Sequence, residues 1–257
     1  MQEINIIEAV RQAMYEEMDR DKSVFILGED IGVRGGVFLA TDGFLEAFGA
    51  QRVIDTPISE SAIAGIALGA AMQGMKPIVE IEFADFIWPV FNQILGEAAR
   101  LRYGTEGKLQ APLVLRAPYG GGIRGGLYHS QSPEVHFAHT PGLKVVAPAT
   151  PYDAKGLLKT SIRDNDPVIF LEHKKTYRLV KGNVPTEVII DSWYNYSERF
   201  EYLNHNWERI LPDTLTVCDN IAYKIVLNQK LNKLCKIQKQ MFTDKMISSW
   251  GVNFNIF

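Results

Sequence analysis

The sequence predicts an α/β fold over its first 187 residues: a doubly wound, mostly parallel sheet with helices on both faces. Three observations carry this. Short, continuous apolar runs such as "PIVEIEF" and "PVIFLEH" read as strands buried on both sides, because a strand with one wet face would alternate polar and apolar residues. Segments of helical character separate these runs, the order in which a parallel sheet receives its crossovers. Turn residues punctuate the alternation: all but one of the 21 glycines lie at or before Gly182, and all but one of the 12 prolines at or before Pro185.

In chain order, residues 4–20 form an amphipathic helix by the spacing of their apolar side chains. "SVFILGED" is the first strand, and residues 41–48 are helix-like. "RVID" is the second strand, followed by a helix of small and apolar residues over 61–75. "PIVEIEF" is the third strand. Pro89 opens a helix running to residue 103, since an amide hydrogen would be unpaired in that first turn. "PLVLRAP", "LKVVAPA" and "PVIFLEH" are three further strands. Between the last two, "TPYDAKGLLKTSIRD" is a helix with Thr150 as N-cap and Pro151 at the first helical position.

Past residue 187 the composition changes to Asn, Ile, Lys, Tyr and Trp with weak periodicity. The domain division is therefore 1–187 and 188–257, the second an aberrant or truncated segment. DNA rich in A and T, read out of frame, would encode such a tail. The formal charge of −3 supplies no basic field to draw the chain to nucleic acid or an anionic membrane. No apolar run approaches the roughly 18–20 residues that span a bilayer. The amphipathic start is not a signal peptide, so the expected location is cytoplasmic. Cys218 and Cys235 form neither a disulfide framework nor a zinc motif.

Four loops hold the candidate chemistry. In "DTPISESAIAG", Glu60 opens an apolar helix. There it stabilises the helix dipole. A carboxylate at the mouth of a buried helix is also partly desolvated, which raises its pKa toward the range useful for proton transfer. In "APYGGGIRGGLYHSQSPE", five of the seven residues 120–126 are glycine, a backbone that a ligand can approach closely. No Gly-Lys-Ser/Thr follows and no strand–GxGxxG–helix unit is present, so neither a P-loop nor a dinucleotide site is indicated. His129 lies just past these glycines and is placed for chemistry, whereas His136 and His139 are expected to pack or cap. "GEDIGVRGGVF" offers Glu29 and Asp30 at a strand end, where open α/β sheets place ligands. "EIEFADF" offers Glu82, Asp85 and Phe86, whose spacing leaves open whether they face a ligand or each other.

At these four loops the sequence resembles the β subunit of thiamine-diphosphate-dependent 2-oxo acid dehydrogenases. The resemblance is carried by "GEDIGVRGGVF", "DTPISESAIAGIALGAAMQGMKPIVEIEFADFIWP", "RAPYGGGIRGGLYHSQSPE" and "PGLKVVAPATPYDAKGLLKTSIRDNDPVIFLEHK". "FADF" and "YHSQSPE" favour the branched-chain (2-oxoisovalerate) type over pyruvate or acetoin dehydrogenase. The fold implied is the thiamine-binding pyrimidine-type domain of the transketolase-like superfamily. The reaction implied is oxidative decarboxylation of a 2-oxo acid, with acyl transfer to lipoyl-lysine of the acyltransferase component. In such enzymes the glutamate of the DTP-x-x-E block, here Glu60, hydrogen-bonds the aminopyrimidine and shares the proton that activates the thiazolium carbon. The resemblance gives His129 the handling of substrate and acyl transfer, and Phe86 a place against the pyrimidine. Ile58, Glu82 and Glu29 are implied cofactor neighbours. Phe86 and Glu82 stand where branched-chain relatives carry Tyr and Gln, so stacking survives but a phenol hydrogen bond does not.

The resemblance also implies a structural potassium ion, at Ala111, Leu113, Val114, Ser161, Asp164 and Asp166. The family's diphosphate and magnesium are held by a motif on an α subunit, and no such motif occurs in this sequence. The implied assembly is an α2β2 heterotetramer with the cofactor between subunits. "RLVKGNVPTEV" begins the usual linker to a second α/β domain, and there the resemblance stops.

Overall fold

The computed structural model describes residues 1–186, so the expectations for residues 188–257 lie outside the described residues. The chain runs β1 (Gln2–Asn5), α1 (Ile6–Arg20), β2 (Val24–Gly28), α2 (Phe44–Phe48), β3 (Val53–Asp55), α3 (Glu60–Met72), β4 (Lys76–Glu80), then α4 (Ala99–Gly104). It continues with β5 (Val114–Tyr119), α5 (Glu134–Ala138), β6 (Lys144–Val146), α6 (Pro151–Arg163), β7 (Val168–His173), α7 (Thr176–Leu179) and β8 (Lys181–Val184). Six strands form one parallel sheet in the order β3-β2-β4-β5-β7-β6. Two apolar clusters cover its faces. One joins α1 and α6 to Val24, Ile26, Ile78, Val114 and Phe170; the other joins α3 and residues 84–98 to Leu27, Val79, Leu115 and Leu171. Alternate residues of each strand feed opposite clusters, which is why the strand runs are continuously apolar.

Three expectations are corrected. The first helix begins at Ile6, two residues later than its periodicity suggests, because residues 2–5 pair antiparallel with β8. Asn5 then closes a reciprocal cap with Glu8: its side chain accepts from the Glu8 amide at 3.0 Å, and the Asn5 amide donates to the Glu8 carboxylate at 2.9 Å. The single helix expected from Pro89 is divided into a 3₁₀ turn (Trp88–Val90), a π-helical stretch (Asn92–Ala98) and α4. Pro89 does occupy the first turn, and its carbonyl accepts a hydrogen bond from the Ser61 hydroxyl of α3 at 2.8 Å. The apolar helix α3 is buried on one face only. Ile63, Ala64, Ala67, Leu68 and Ala71 enter the core, while Ile66 and Met72 are exposed.

Helix α6 begins as expected, with the Thr150 side chain accepting from the Asp153 amide and Pro151 in the first turn. It packs on α1 through charged groups as well as apolar ones. Lys155 and Lys159 are buried against Glu16, and Arg163 and Arg20 both meet the buried Glu17. Burial resists the Glu17 charge, but the two arginines outweigh it and hold the carboxyl below its usual range.

Candidate active site

Strands β2, β3 and β4 end level with one another: Gly28 stands opposite both Asp55 and Glu80. The chain therefore leaves all three strands at one edge of the sheet, and the expected residues follow those exits. Glu29 comes directly after β2, Glu60 opens α3, and Glu82 lies two residues past β4. The first loop folds back over this edge, held by the Asp55 carboxylate, which accepts the Gly32 amide at 2.6 Å. Asp30 adopts a positive φ of 56° and pairs with Arg34 at 2.8 Å.

The three glutamates lie close enough to repel one another. Burial, then the charges of Glu60 and Glu82, push the Glu29 carboxyl up to about 7, against the Ser59 backbone amide that favours its charge. Burial and Asp30 raise Glu82, while His129 and Arg34 act the other way. Helix α3 has no side-chain N-cap, since Ser59 bonds none of its amides, so its open end faces this cluster.

The opposite wall is aromatic. Phe83 ends the β4 exit and packs edge-on against Phe86 (centroids 6.0 Å) and His129 (4.5 Å). Phe86 also meets His129, at 5.6 Å. His129 lies in a short 3₁₀ turn (Leu127–His129), with Nδ1 3.0 Å from the Gly125 carbonyl oxygen. A carbonyl can only accept, so Nδ1 carries the hydrogen and Nε2 is left for other partners. Gly120 has φ of 77°, and a Cβ on it would strike the His173 ring. His136 packs against Trp88 at 5.3 Å, and His139 caps the C-terminus of α5, as expected of both.

The edge thus joins a carboxylate cluster, an open helix N-terminus, two phenyl rings and an imidazole. The family described as transketolase, pyrimidine binding domain, matches residues 2–180. The chain belongs to this family. The β subunit of 2-oxoisovalerate dehydrogenase from Bacillus subtilis (strain 168) is 60% identical over 187 residues, which are 73% of this chain and 57% of that one. The pyruvate dehydrogenase E1 component subunit beta of Acholeplasma laidlawii is 51% identical over 185 residues, 72% of this chain and 57% of its own. The chain therefore spans 57% of the length of these relatives. A solved structure titled split gene transketolase, inactive beta4 tetramer, superposes with a TM-score of 0.57 at 19% identity. It covers 73% of this chain and 56% of that one, and shows the fold alone.

In the transketolase pyrimidine-binding family the cofactor is thiamine diphosphate, and the residues here fit its aminopyrimidine end. Glu60 offers a carboxylate to ring nitrogen and amine, and the half-buried Phe86 offers a ring face. Ile58 is 83% exposed and offers an apolar surface that nothing among the described residues covers. The diphosphate end does not fit this edge, because Glu29, Asp30, Glu60 and Glu82 would repel it.

The six residues implied for potassium gather at the other end of the sheet, where β5 and β7 begin. Asp164 and Asp166 both bond the Lys144 ammonium, and Asp166 also meets Arg102. The carbonyls of Ala111, Leu113 and Ser161 accept amides of Leu113, Val168 and Asp164, each keeping a second lone pair.

Sequence reasoning missed a charged cluster beneath the site. Arg116 of β5 is fully buried between Glu80 of β4 (2.6 Å) and Glu172 of β7 (2.6 and 2.9 Å), and Tyr177 donates to Glu172 at 2.6 Å. Burial opposes the Arg116 charge, but Glu172 and Glu80 outweigh it and raise its pKa above the usual range. The signal was present: Arg116 lies inside an apolar strand, and the neighbouring strands β4 and β7 each carry a glutamate, Glu80 and Glu172, that can meet it once β5 lies between them.

Proposed function

We propose that this chain is the β subunit of the decarboxylating component of a 2-oxo acid dehydrogenase, acting on branched-chain 2-oxo acids in the cytoplasm. Similarity to the Bacillus subtilis subunit supports the substrate class. The observation that carries the reading is the convergence of Glu60, Phe86 and His129 on one acidic edge that suits a pyrimidine and repels a diphosphate. An α subunit then supplies the diphosphate and magnesium sites. The exposed Ile58 and the exposed Ile66 and Met72 of α3 support such a partner, since they are apolar surface that the described residues leave uncovered.

When bound, thiamine diphosphate supplies a carbon nucleophile that accepts the acyl group as carbon dioxide leaves. Glu60 exchanges a proton with the pyrimidine ring nitrogen. Phe86 fixes the plane of the ring. His129 presents Nε2 to substrate and to the lipoyl group that receives the acyl fragment. A potassium ion at the carbonyl cluster would be structural, bracing β5 against α6.

The test is co-expression with a branched-chain α subunit, with decarboxylation of 2-oxoisovalerate read by an artificial electron acceptor. Glu60→Gln should abolish cofactor-dependent activity while the subunits still assemble. His129→Ala should impair acyl transfer to lipoate more than cofactor binding. Activity retained in Glu60→Gln would overturn the assignment. A second reading, a chain that binds an α subunit without catalysis, is favoured by the change of composition past residue 187. It predicts assembly without decarboxylation. Turnover of pyruvate or acetoin in preference to 2-oxoisovalerate would reassign the substrate.

A further inference from the structure

The loop that carries His129 is rich in glycine and lies on the surface, yet a catalytic imidazole needs a fixed direction. Within residues 125–131 the bonds are local: Ser130 Oγ donates to the Gly126 carbonyl at 2.8 Å, and His129 Nδ1 to that of Gly125. Those bonds shape the turn but do not attach it to the sheet. The side chain that does is Asp85, 5% exposed in the 3₁₀ turn after β4. Its Oδ1 accepts the backbone amides of Ser130 at 3.1 Å and Gln131 at 3.2 Å, the two residues that follow His129. The Gln131 carbonyl in turn accepts the Gly120 amide at 2.8 Å, closing the loop on β5.

The Asp85 carboxylate is also electrically provided for. Its Oδ2 is buried and meets no donor among the described residues, so the charge must be balanced at longer range. Lys174, 4% exposed, is the cation at hand. Its ammonium bonds the Pro118 carbonyl at 3.3 Å and lies 5.6 Å over the Phe83 ring, the same ring on which His129 packs. Burial lowers the Lys174 pKa to about 8, with Asp85 pulling it back up.

We propose that Asp85 is a positioning residue: by holding the Ser130 and Gln131 amides on one oxygen, it sets where the His129 imidazole points. The proposal rests on the functional reading above for the meaning of His129, but the clamp itself is read without any assay of activity. Amide hydrogen exchange on the full chain should show Ser130 and Gln131 protected although their loop is exposed. Unprotected amides in the unaltered protein would overturn the proposal at once. Asp85→Leu fills the volume without an acceptor and should speed exchange at both amides by about 10- to 100-fold, the loss of two bonds to a charged group. Asp85→Asn keeps an acceptor oxygen and should stay within about threefold of the unaltered chain. Equal exchange in all three proteins would sink the clamp.

In the complex with the α subunit, Asp85→Leu should lower kcat for acyl transfer with the affinity for thiamine diphosphate retained, and Asp85→Asn should restore it. If His129→Ala loses acyl transfer but Asp85→Leu does not, the positioning role is wrong. If neither loses it, the role given to His129 is wrong and the positioning proposal falls with it.

Discussion

At the scale of single residues, the carboxylates of the site carry the pH dependence. Glu29 has its pKa raised from 4.5 to about 7 by burial and by the charges of Glu60 and Glu82. Below about pH 4.5 it is protonated folded or unfolded, and the folded state keeps its full advantage from that group. As pH rises through about 7 the folded chain must carry the buried charge, so this contribution is lost. Glu29→Gln should therefore flatten the fall in Tm between pH 5 and pH 8, measured by thermal denaturation in a common buffer. A variant curve parallel to that of the unaltered chain would show that Glu29 does not titrate there. Glu60 and His129 stood out in the sequence because one opens an apolar helix and the other follows a glycine run, whereas Phe86 was singled out by the family resemblance. The clamp by Asp85 was not legible, since Asp85 and Ser130 are 45 residues apart and meet only through β5.

At the scale of elements, β4, β5 and β7 are tied by Arg116, Glu80 and Glu172 as well as by their ladders. Arg116→Met would leave two carboxylates buried without a cation and should cost about 3–5 kcal/mol of stability, read from the urea midpoint. Adding Glu80→Gln and Glu172→Gln should recover much of that loss, because neutral amides do not need the guanidinium. No recovery would place the cost in packing rather than charge. The six strands of the parallel sheet were readable because period and composition are local properties, whereas β1 and β8 were not, since each is a strand only by pairing with the other. The division of residues 88–104 into three helical forms was not readable, because it is settled by packing against α3, including the Ser61 bond to Pro89.

At the scale of the whole molecule, residues 4–184 supply both apolar clusters. A fragment of residues 1–186 should accordingly fold alone with a single cooperative urea transition. Ending it at residue 179 removes β8, and with it the partner of β1 and the buried Val184. That deletion should cost roughly 2 kcal/mol from Val184 burial alone. An unchanged midpoint would mean that the β1–β8 pair does not support the domain. By itself the sequence determined the α/β class and the six strands of the parallel sheet with helices between them, and it placed Glu29, Glu60, Glu82, Phe86 and His129 in segments that follow those strands. The strands follow from periodicity and composition, whereas the roles of these five residues toward a cofactor were implied by the family resemblance and not by spacing. Only the tertiary structure decided which charges share a dielectric environment: Arg116 between two glutamates, Glu29 against its neighbours, Asp85 under the His129 loop. Electrostatic energy depends on distance and burial through space, and neither is a property of position along the chain.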